Sequence, residues 1–305
     1  MMPHANTILK VAGIITLVLL SSACASQSEG QSGDHSLRVM TFNLRYDNPG
    51  DGVNRWELRR EFAADVIQES SASLIGIQEG LHHQVEWLDN ILSDFPYVGV
   101  GRDDGAQAGE YSAIFIDTSR FEIIDSGTFW LSDIPSRPSV GWDASMERIA
   151  TYVIVLERSS EPVSQQTPLL ILNAHFDHIG QEARLESARL IRDKIQVLRQ
   201  FGETSLPVIA MGDFNTGPGT APIEVFSSFL LDSYIVSETP PVGPVTTFNG
   251  FNVIPNGYRE ADGRIDYVFV SDEFRVNSYS AIDDLRNECY VSDHFPILVD
   301  ITIEY

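Results

Sequence analysis

The sequence predicts an α/β chain in which two β-sheets pack face to face with helices on their outer sides. Three observations predict it. Apolar runs of strand length recur from residue 37 to the C-terminus, stretches with helical spacing fall between them, and several of the runs are apolar at every position, as doubly covered strands require. In chain order, "LRVMTFNLR" (37–45) reads as a strand, and Leu58, Phe62 and Val66 then repeat at helical spacing. "LIGIQE" (74–79) is a buried strand, and "YSAIFID", "ATYVIVLE" and "PLLILNAHF" are further strands. A long helix follows, with Leu185, Ala188, Ile191, Ile195 and Leu198 on one face. Leu206 to Met211 is an apolar run bounded by Gly and Pro, and the strands "IDYVFVS" (265–271) and "PILVDITIEY" close the series. Composition does not break after Ser36 and no short-period repeat is present, so residues 37–305 read as one domain.

The first 24 residues have the layout of an export signal. Lys10 precedes the apolar run "VAGIITLVLL" (11–20), which is too short to span a bilayer comfortably, and the small residues of "SSACAS" follow. Leu20-Ser21-Ser22-Ala23-Cys24 resembles a bacterial lipoprotein box with its Leu one place further upstream than usual, so Cys24 is the expected lipid anchor. Ordinary cleavage after Ala25 is the alternative. The first reading places the protein on the outer membrane or cell surface, the second in the periplasm or medium. Residues 25–36 form a polar Gly/Ser-rich tether. Cys289 is then unpaired, and the exported chain, taken as a monomer, folds without disulfides. The formal charge of −23 disfavours free nucleic acid as a substrate, because non-specific affinity for polynucleotides comes from Lys and Arg neutralising phosphates.

One stretch, "LPVIAMGDFNTGPGT" (206–220), mounts an acid and an amide, Asp213 and Asn215, off the end of a core strand. At the strand period of two both side chains point one way. Turn chemistry before Gly217-Pro218-Gly219 explains the pair as well as catalysis does. The other strand ends break the tie: they carry Asn43, Glu79, Asn173 with His175, Asp266 beside Tyr267, and Asp293-His294. Six strands ending in groups able to bind a hard cation, move a proton or donate to an oxyanion are expensive to gather without a use.

The kind of groups narrows the chemistry. A lone Glu among carboxamides and Asp, without a nearby Cys, suits Mg²⁺ rather than Zn²⁺. Two histidines with spare carboxylates suit water activation and charge stabilisation. Metal-assisted hydrolysis of a phosphate ester fits best, since no Ser sits in a nucleophile-elbow pattern.

"TFNLR", "IGIQE", "NAHFDH", "GDFNTGP", "RIDYVFVS" and "SDHFPI", in this order, resemble the endonuclease/exonuclease/phosphatase superfamily from about Arg38 to the end. The resemblance implies a four-layer α/β sandwich of the deoxyribonuclease I type, with two mixed sheets packed face to face, and phosphoesterase activity dependent on one or two Mg²⁺ or Mn²⁺ ions. It makes Glu79 the principal metal ligand, with Asn43 beside the ion and Asp293 near it. Asp213 and Asn215 match the pair that positions the attacking water and holds the phosphate. His175 matches the histidine that donates to phosphate oxygens. Asp266 is expected to orient the ring of His294. The general base is left open between Asp213 and His294, and the Asp266–His294 pair is taken for it. Arg148, in "WDASMERIATY", resembles the arginine that contacts the scissile phosphate, and His178 either braces the loop after His175 or contacts phosphate.

Departures from the family pattern narrow the substrate. "TGPG" after Asn215 differs from inositol-polyphosphate phosphatases, and "QEGLHHQ" lacks the Thr-Lys of abasic-site endonucleases. Glu110 precedes Tyr111 where deoxyribonuclease I relatives have Tyr-x-Glu, which leaves the orienting partner of His175 open. His82 and His83 read as a solvated face. Asp47, Asp51 and Arg55 read as turn chemistry in a loop placed to rim the site, and Trp56 and Trp142 as packing or stacking residues. Three functions compete: a phosphoesterase acting outside the cytoplasm on a small or lipid-linked phosphomono- or diester, an exported nuclease, and a non-catalytic binding lipoprotein. The full set of catalytic residue types speaks against the last.

Overall fold

The computed structural model describes residues 36–158, 167–200, 205–253 and 263–304. The expected signal peptide with Cys24 and the expected tether up to residue 35 lie outside the described residues, while Ser36, read as the last residue of the tether, opens the first strand. In chain order the strands of the first half are β1 (Ser36–Asn43), β2 (Leu74–Gln78), β3 (Gly80–Leu81), β4 (Tyr97–Val98), β5 (Glu110–Tyr111), β6 (Ile114–Ile116), β7 (Phe121–Trp130) and β8 (Ile149–Glu157). Those of the second half are β9 (Leu169–His175), β10 (Val208–Asp213), β11 (Leu231–Asp232), β12 (Asp266–Val270), β13 (Phe274–Ala281), β14 (Leu285–Arg286), β15 (Cys289–Tyr290) and β16 (Ile297–Ile303). The helices are α1 (Trp56–Ser70), α2 (His82–Ile91), α3 (Gln181–Leu198), α4 (Ala221–Ser227) and α5 (Ser233–Val236).

Two six-stranded mixed sheets result, ordered β13-β16-β1-β2-β6-β4 and β11-β12-β10-β9-β8-β7. Alternation along the strands sorts their side chains into layers. Val39, Leu74, Ile171, Ile209, Met211 and Val268 share the core between the sheets. Met40, Phe42, Ile75 and Ile77 pack with α1 and α2 residues, and Leu170, Leu172, Ala210 and Phe269 pack with residues of α3 and α4. This is the four-layer sandwich of the sequence reading.

The same parity places the site. Asn43 is in phase with Val39, Asp213 with Ile209 and Met211, His175 with Ile171, and Asp266 with Val268, so all four point between the sheets. Register brings them to one edge: Asp213 lies opposite His175 on parallel β9 and opposite Asp266 on antiparallel β12, and Asn43 lies opposite Gln78, the residue before Glu79. Just beneath, Gln78 Nε2 donates to Asn173 Oδ1 at 2.6 Å and to Thr41 Oγ1 at 3.0 Å, a buried polar tie across the sheets. Gly212 has φ of 144°, and a Cβ there would lie 1.9 Å from the Ala174 carbonyl oxygen. Only glycine lets β10 run this close to β9 just before Asp213.

The structure revises two details and bears out a third. On α1 the buried face carries Trp56, Phe62, Ala63, Val66 and Ile67, whereas Leu58 is 60% exposed. The strands β7 and β13, which form one edge of each sheet, were not foreseen. Trp56 is 2% exposed and meets Trp87 edge-on at 5.8 Å, which makes it a packing residue.

Candidate active site

Asn43 stands at the centre of the cluster. Its Nδ2 donates to Glu79 Oε1 and to Asp213 Oδ2, each at 3.0 Å, while its Oδ1 accepts from Arg45 N at 2.9 Å. The amide thereby spans the two sheets. Glu79 sits just past β2 with φ of 62°, a left-handed conformation that costs a side-chain-bearing residue about 1–3 kcal/mol and is kept only where the surroundings hold it. Here Tyr46 N donates to Oε2 at 3.2 Å and Asn43 holds Oε1.

Asn215 reaches the site by a different route from the strand alternation that the sequence suggested. β10 ends at Asp213, and Asn215 turns left-handed at φ 48° while its N–H donates to Asp213 Oδ1 at 2.9 Å. Its Nδ2 then reaches His175 Nε2 at 3.1 Å and the Phe176 carbonyl at 3.0 Å. Arg148 NH1 meets the same His175 nitrogen at 3.1 Å. Two donors on Nε2 make it an acceptor, so His175 is neutral with its proton on Nδ1, 3.8 Å from Glu110 Oε2. Burial, then the charges of Arg148 and Arg102, hold its pKa well below the usual value, in agreement with that tautomer.

Arg148 is buried and faces three partners. Its Nε lies 3.4 Å from Asp177 Oδ2, and its Nη2 lies 2.9 Å from the exposed His178 at Nδ1, so His178 lies beside Arg148 on the open side of the site. Asp177 is fully buried and also accepts from Ser145 and from the Ile179 and Gly180 amides, which hold its carboxyl well below the usual carboxylate range despite burial. Arg102 makes a two-pronged pair with Glu110 at 2.7 and 2.9 Å. Burial nevertheless pushes the Glu110 carboxyl up to about 7, against the pull of Arg102.

On the other wall His294 Nδ1 lies 2.9 Å from Asp266 Oδ2, and its Nε2 lies 3.8 Å from Asp213 Oδ2. Burial opposes the imidazolium, but Asp266 and Asp213 outweigh it and raise the pKa well above the ordinary value. Asp213 is pushed up to about 7 by burial and by Asp266, against the pull of His294. Asp293 is also raised, by burial first and by Glu79, and its Oδ2 lies 3.7 Å from Arg45 Nε.

Glu79, Arg102, Glu110, Arg148, His175, His178, Asp213, Asn215, Asp293 and His294 line one cavity of about 510 Å³, together with Arg45, Tyr46, Met146, Phe248 and Ile265, and Asn43, Asp177 and Asp266 hold these groups from outside the lining. Arg102, Tyr46 and Phe248 were not singled out in the sequence, because each enters from a loop with no periodic signal. His82 and His83 are not among its lining; they pair with Tyr111 at 3.0 Å and with Asp47 at 2.9 Å. Asp51 takes both prongs of Arg45 at 3.0 and 3.1 Å, so the loop after β1 contributes Arg45 and Tyr46 to the rim.

The donor set suits a hard divalent cation. Carboxylates of Glu79, Asp213 and Asp293 line the cavity, ligand atoms of Glu79, His175 and Asp213 fall within 4.8 Å of one another, and Asn43 turns its Nδ2 to two of the carboxylates while its Oδ1 accepts from Arg45 N. Carboxyls pushed upward by burial and by each other mark surplus negative charge that a cation relieves.

A family model described as the endonuclease/exonuclease/phosphatase family matches residues 40–294. Similar solved structures include an endonuclease/exonuclease/phosphatase family protein from Bacteroides thetaiotaomicron, 35% identical with a TM-score of 0.80 over 89% of this chain and 99% of that one. A mannosyl-6-phosphatase from the same species is 36% identical with a TM-score of 0.78, covering 88% and 100% of the two chains. The human nocturnin catalytic domain shares the fold at 19% identity, with a TM-score of 0.66 over 88% of this chain and 93% of that one. No curated protein matches the chain.

Proposed function

The chain belongs to the endonuclease/exonuclease/phosphatase family and is a metal-dependent hydrolase of phosphate ester bonds, and within that class we propose that it cleaves a small phosphomonoester outside the cytoplasm. The observation that carries this reading is the cavity itself. Its volume of about 510 Å³ suits a small molecule, and donors and acids converge on Asp213 from both sheets. Its similarity to a mannosyl-6-phosphatase at 36% identity supports a phosphorylated sugar as the substrate type. The net charge of −23 speaks against a polynucleotide.

In this reading Glu79, Asp213 and Asp293 hold one or two Mg²⁺ or Mn²⁺ ions, and Asn43, expected beside the ion, positions Glu79 and Asp213 through its Nδ2. When bound, the cation supplies Lewis acidity at the phosphoryl oxygens. Arg148 keeps a second N–H on each terminal nitrogen for the phosphate, and His175, neutral and accepting from Arg148 and Asn215, fixes its direction, while Asn215, its two amide N–H groups held by His175 and the Phe176 carbonyl, locks that ring in place. Asp266 holds the His294 ring by Nδ1, leaving Nε2 on the Asp213 side to take a proton from water. His178 adds a polar contact at the outer edge of the phosphate site.

A panel of hexose phosphates, nucleotides, phosphodiesters and single- and double-stranded DNA, assayed with Mg²⁺ and with Mn²⁺, tests the substrate class. Inorganic phosphate is expected from small monoesters and no cleavage from DNA. Turnover confined to polynucleotides would replace this reading with that of a nuclease.

The N-terminal signal extends the proposal to location: Cys24 carries lipid and holds the enzyme at a membrane surface through the tether. Detergent phase separation is expected to put the wild type in the detergent phase and a Cys24→Ala variant in the aqueous phase. Equal aqueous partition of both would assign ordinary cleavage after Ala25.

A further inference from the structure

We propose that Phe248 is the platform against which the alcohol part of the substrate stacks, and that this part is a sugar ring with one apolar face. The inference rests on the phosphomonoesterase reading and deepens it. Phe248 lines the cavity yet is 43% exposed, and it belongs to none of the three apolar clusters among the described residues. Packing therefore does not account for it.

Its position is fixed from both sides. Phe248 bridges antiparallel to His294, Phe295 N donates to the Thr247 carbonyl at 2.8 Å, and Asn249 N donates to the Asp293 carbonyl at 2.7 Å. Thr247 Oγ1 in turn accepts from Ile265 N and Asp266 N at 3.0 Å each. The segment is thus clamped to both chain pieces that supply the Asp266–His294 pair. The phenyl ring meets the His294 ring edge-on, with centroids 5.1 Å apart. An exposed aromatic held this firmly beside a reacting imidazole is preorganised to contact whatever carries the phosphate.

The surroundings select the kind of group. The rest of the cavity is dominated by charged and hydrogen-bonding side chains, including Arg102, Glu110, Arg148 and His178. A ring with one apolar face and hydroxyls on its edge satisfies one phenyl and a polar wall together. The other aromatic here, Tyr46, already carries the Arg45 guanidinium over its ring at 4.5 Å, so no second ring face is free to sandwich a nucleobase against Phe248.

The test compares kcat/KM for a hexose 6-phosphate, glycerol 3-phosphate and a nucleoside 5′-monophosphate in the wild type, Phe248→Ala and Phe248→Tyr, at saturating Mg²⁺. The hexose-to-glycerol ratio is expected to fall about tenfold in Phe248→Ala, as expected for loss of one ring contact, mainly through KM, and to return in Phe248→Tyr. An unchanged ratio in Phe248→Ala, or no recovery with Tyr, overturns the platform. A larger loss for the nucleotide than for the hexose phosphate overturns the sugar assignment. A wild type inert on all three monoesters overturns the phosphomonoesterase reading itself and this inference with it, whereas turnover with an unmoved ratio overturns this inference alone.

Discussion

Glu79→Gln is expected to lower turnover by roughly 10³-fold or more at limiting Mg²⁺ while leaving the fold intact. The magnitude follows from the several kcal/mol that a bound cation contributes to a phosphoryl transition state, at about 1.4 kcal/mol per factor of ten. The side chain keeps its shape and one oxygen, so either the Asn43 or the Tyr46 contact survives; the charge does not. Because Glu79 lies beyond the end of β2 and outside all three apolar clusters, no packing is lost with it. Steady-state rates across a Mg²⁺ series, beside a thermal melt, provide the check. A variant as active as the wild type at limiting Mg²⁺ would remove Glu79 from the metal site.

The second large effect concerns the Asp266–His294 pair. A base must be neutral to act, and Asp266 and Asp213 raise the pKa of His294 well above its ordinary value. Activity is therefore expected to rise with pH on the alkaline side of the usual histidine range. Asp266→Asn removes the carboxylate that favours the imidazolium, so the rise should move to lower pH, and the rate should drop by the roughly 10²–10⁴-fold that general-base help supplies. His294→Ala should cost at least as much. The double variant should cost little more than the worse single one, because the two residues act as a unit. pH–rate profiles of the four proteins at saturating Mg²⁺ decide it. Additive losses, or a profile that Asp266→Asn leaves in place, would pass the role of base to Asp213, whose carboxyl is itself held near 7.

Asn43, His175, Asp213 and Asp266 were legible because each lies on a core strand whose apolar partners announce the period, whereas Glu79 sits just past β2 and Asp293-His294, expected at a strand end, lie in the segment before β16. Ile209 and Met211 fix the side to which Asp213 points, Val39 does so for Asn43, and Val268 for Asp266, and register does the rest. What escaped the sequence has physical reasons. β7 and β13 are edge strands, β7 with few buried positions and β13 buried on one side only, so Asp125, Ser126 and Asn277 interrupt the apolar pattern. Leu58 shares its spacing with Phe62 and Val66, but Trp56, two residues before it, and Arg59, one after it, fix the buried face of α1. Asn215 comes to His175 through a left-handed residue, which alternation does not foresee. Arg102 and Phe248 are recruited from distant loops, and only the closed cavity shows that they meet the site.

Release of inorganic phosphate from a hexose 6-phosphate, followed through chelation and re-addition of metal, tests the central claim most directly: that the converging strand ends form one metal-dependent phosphoesterase site. The account predicts no release once a chelator has stripped the protein, and a saturable return of activity as Mg²⁺ or Mn²⁺ is added back. Phosphate released at the same rate with the chelator present would contradict it.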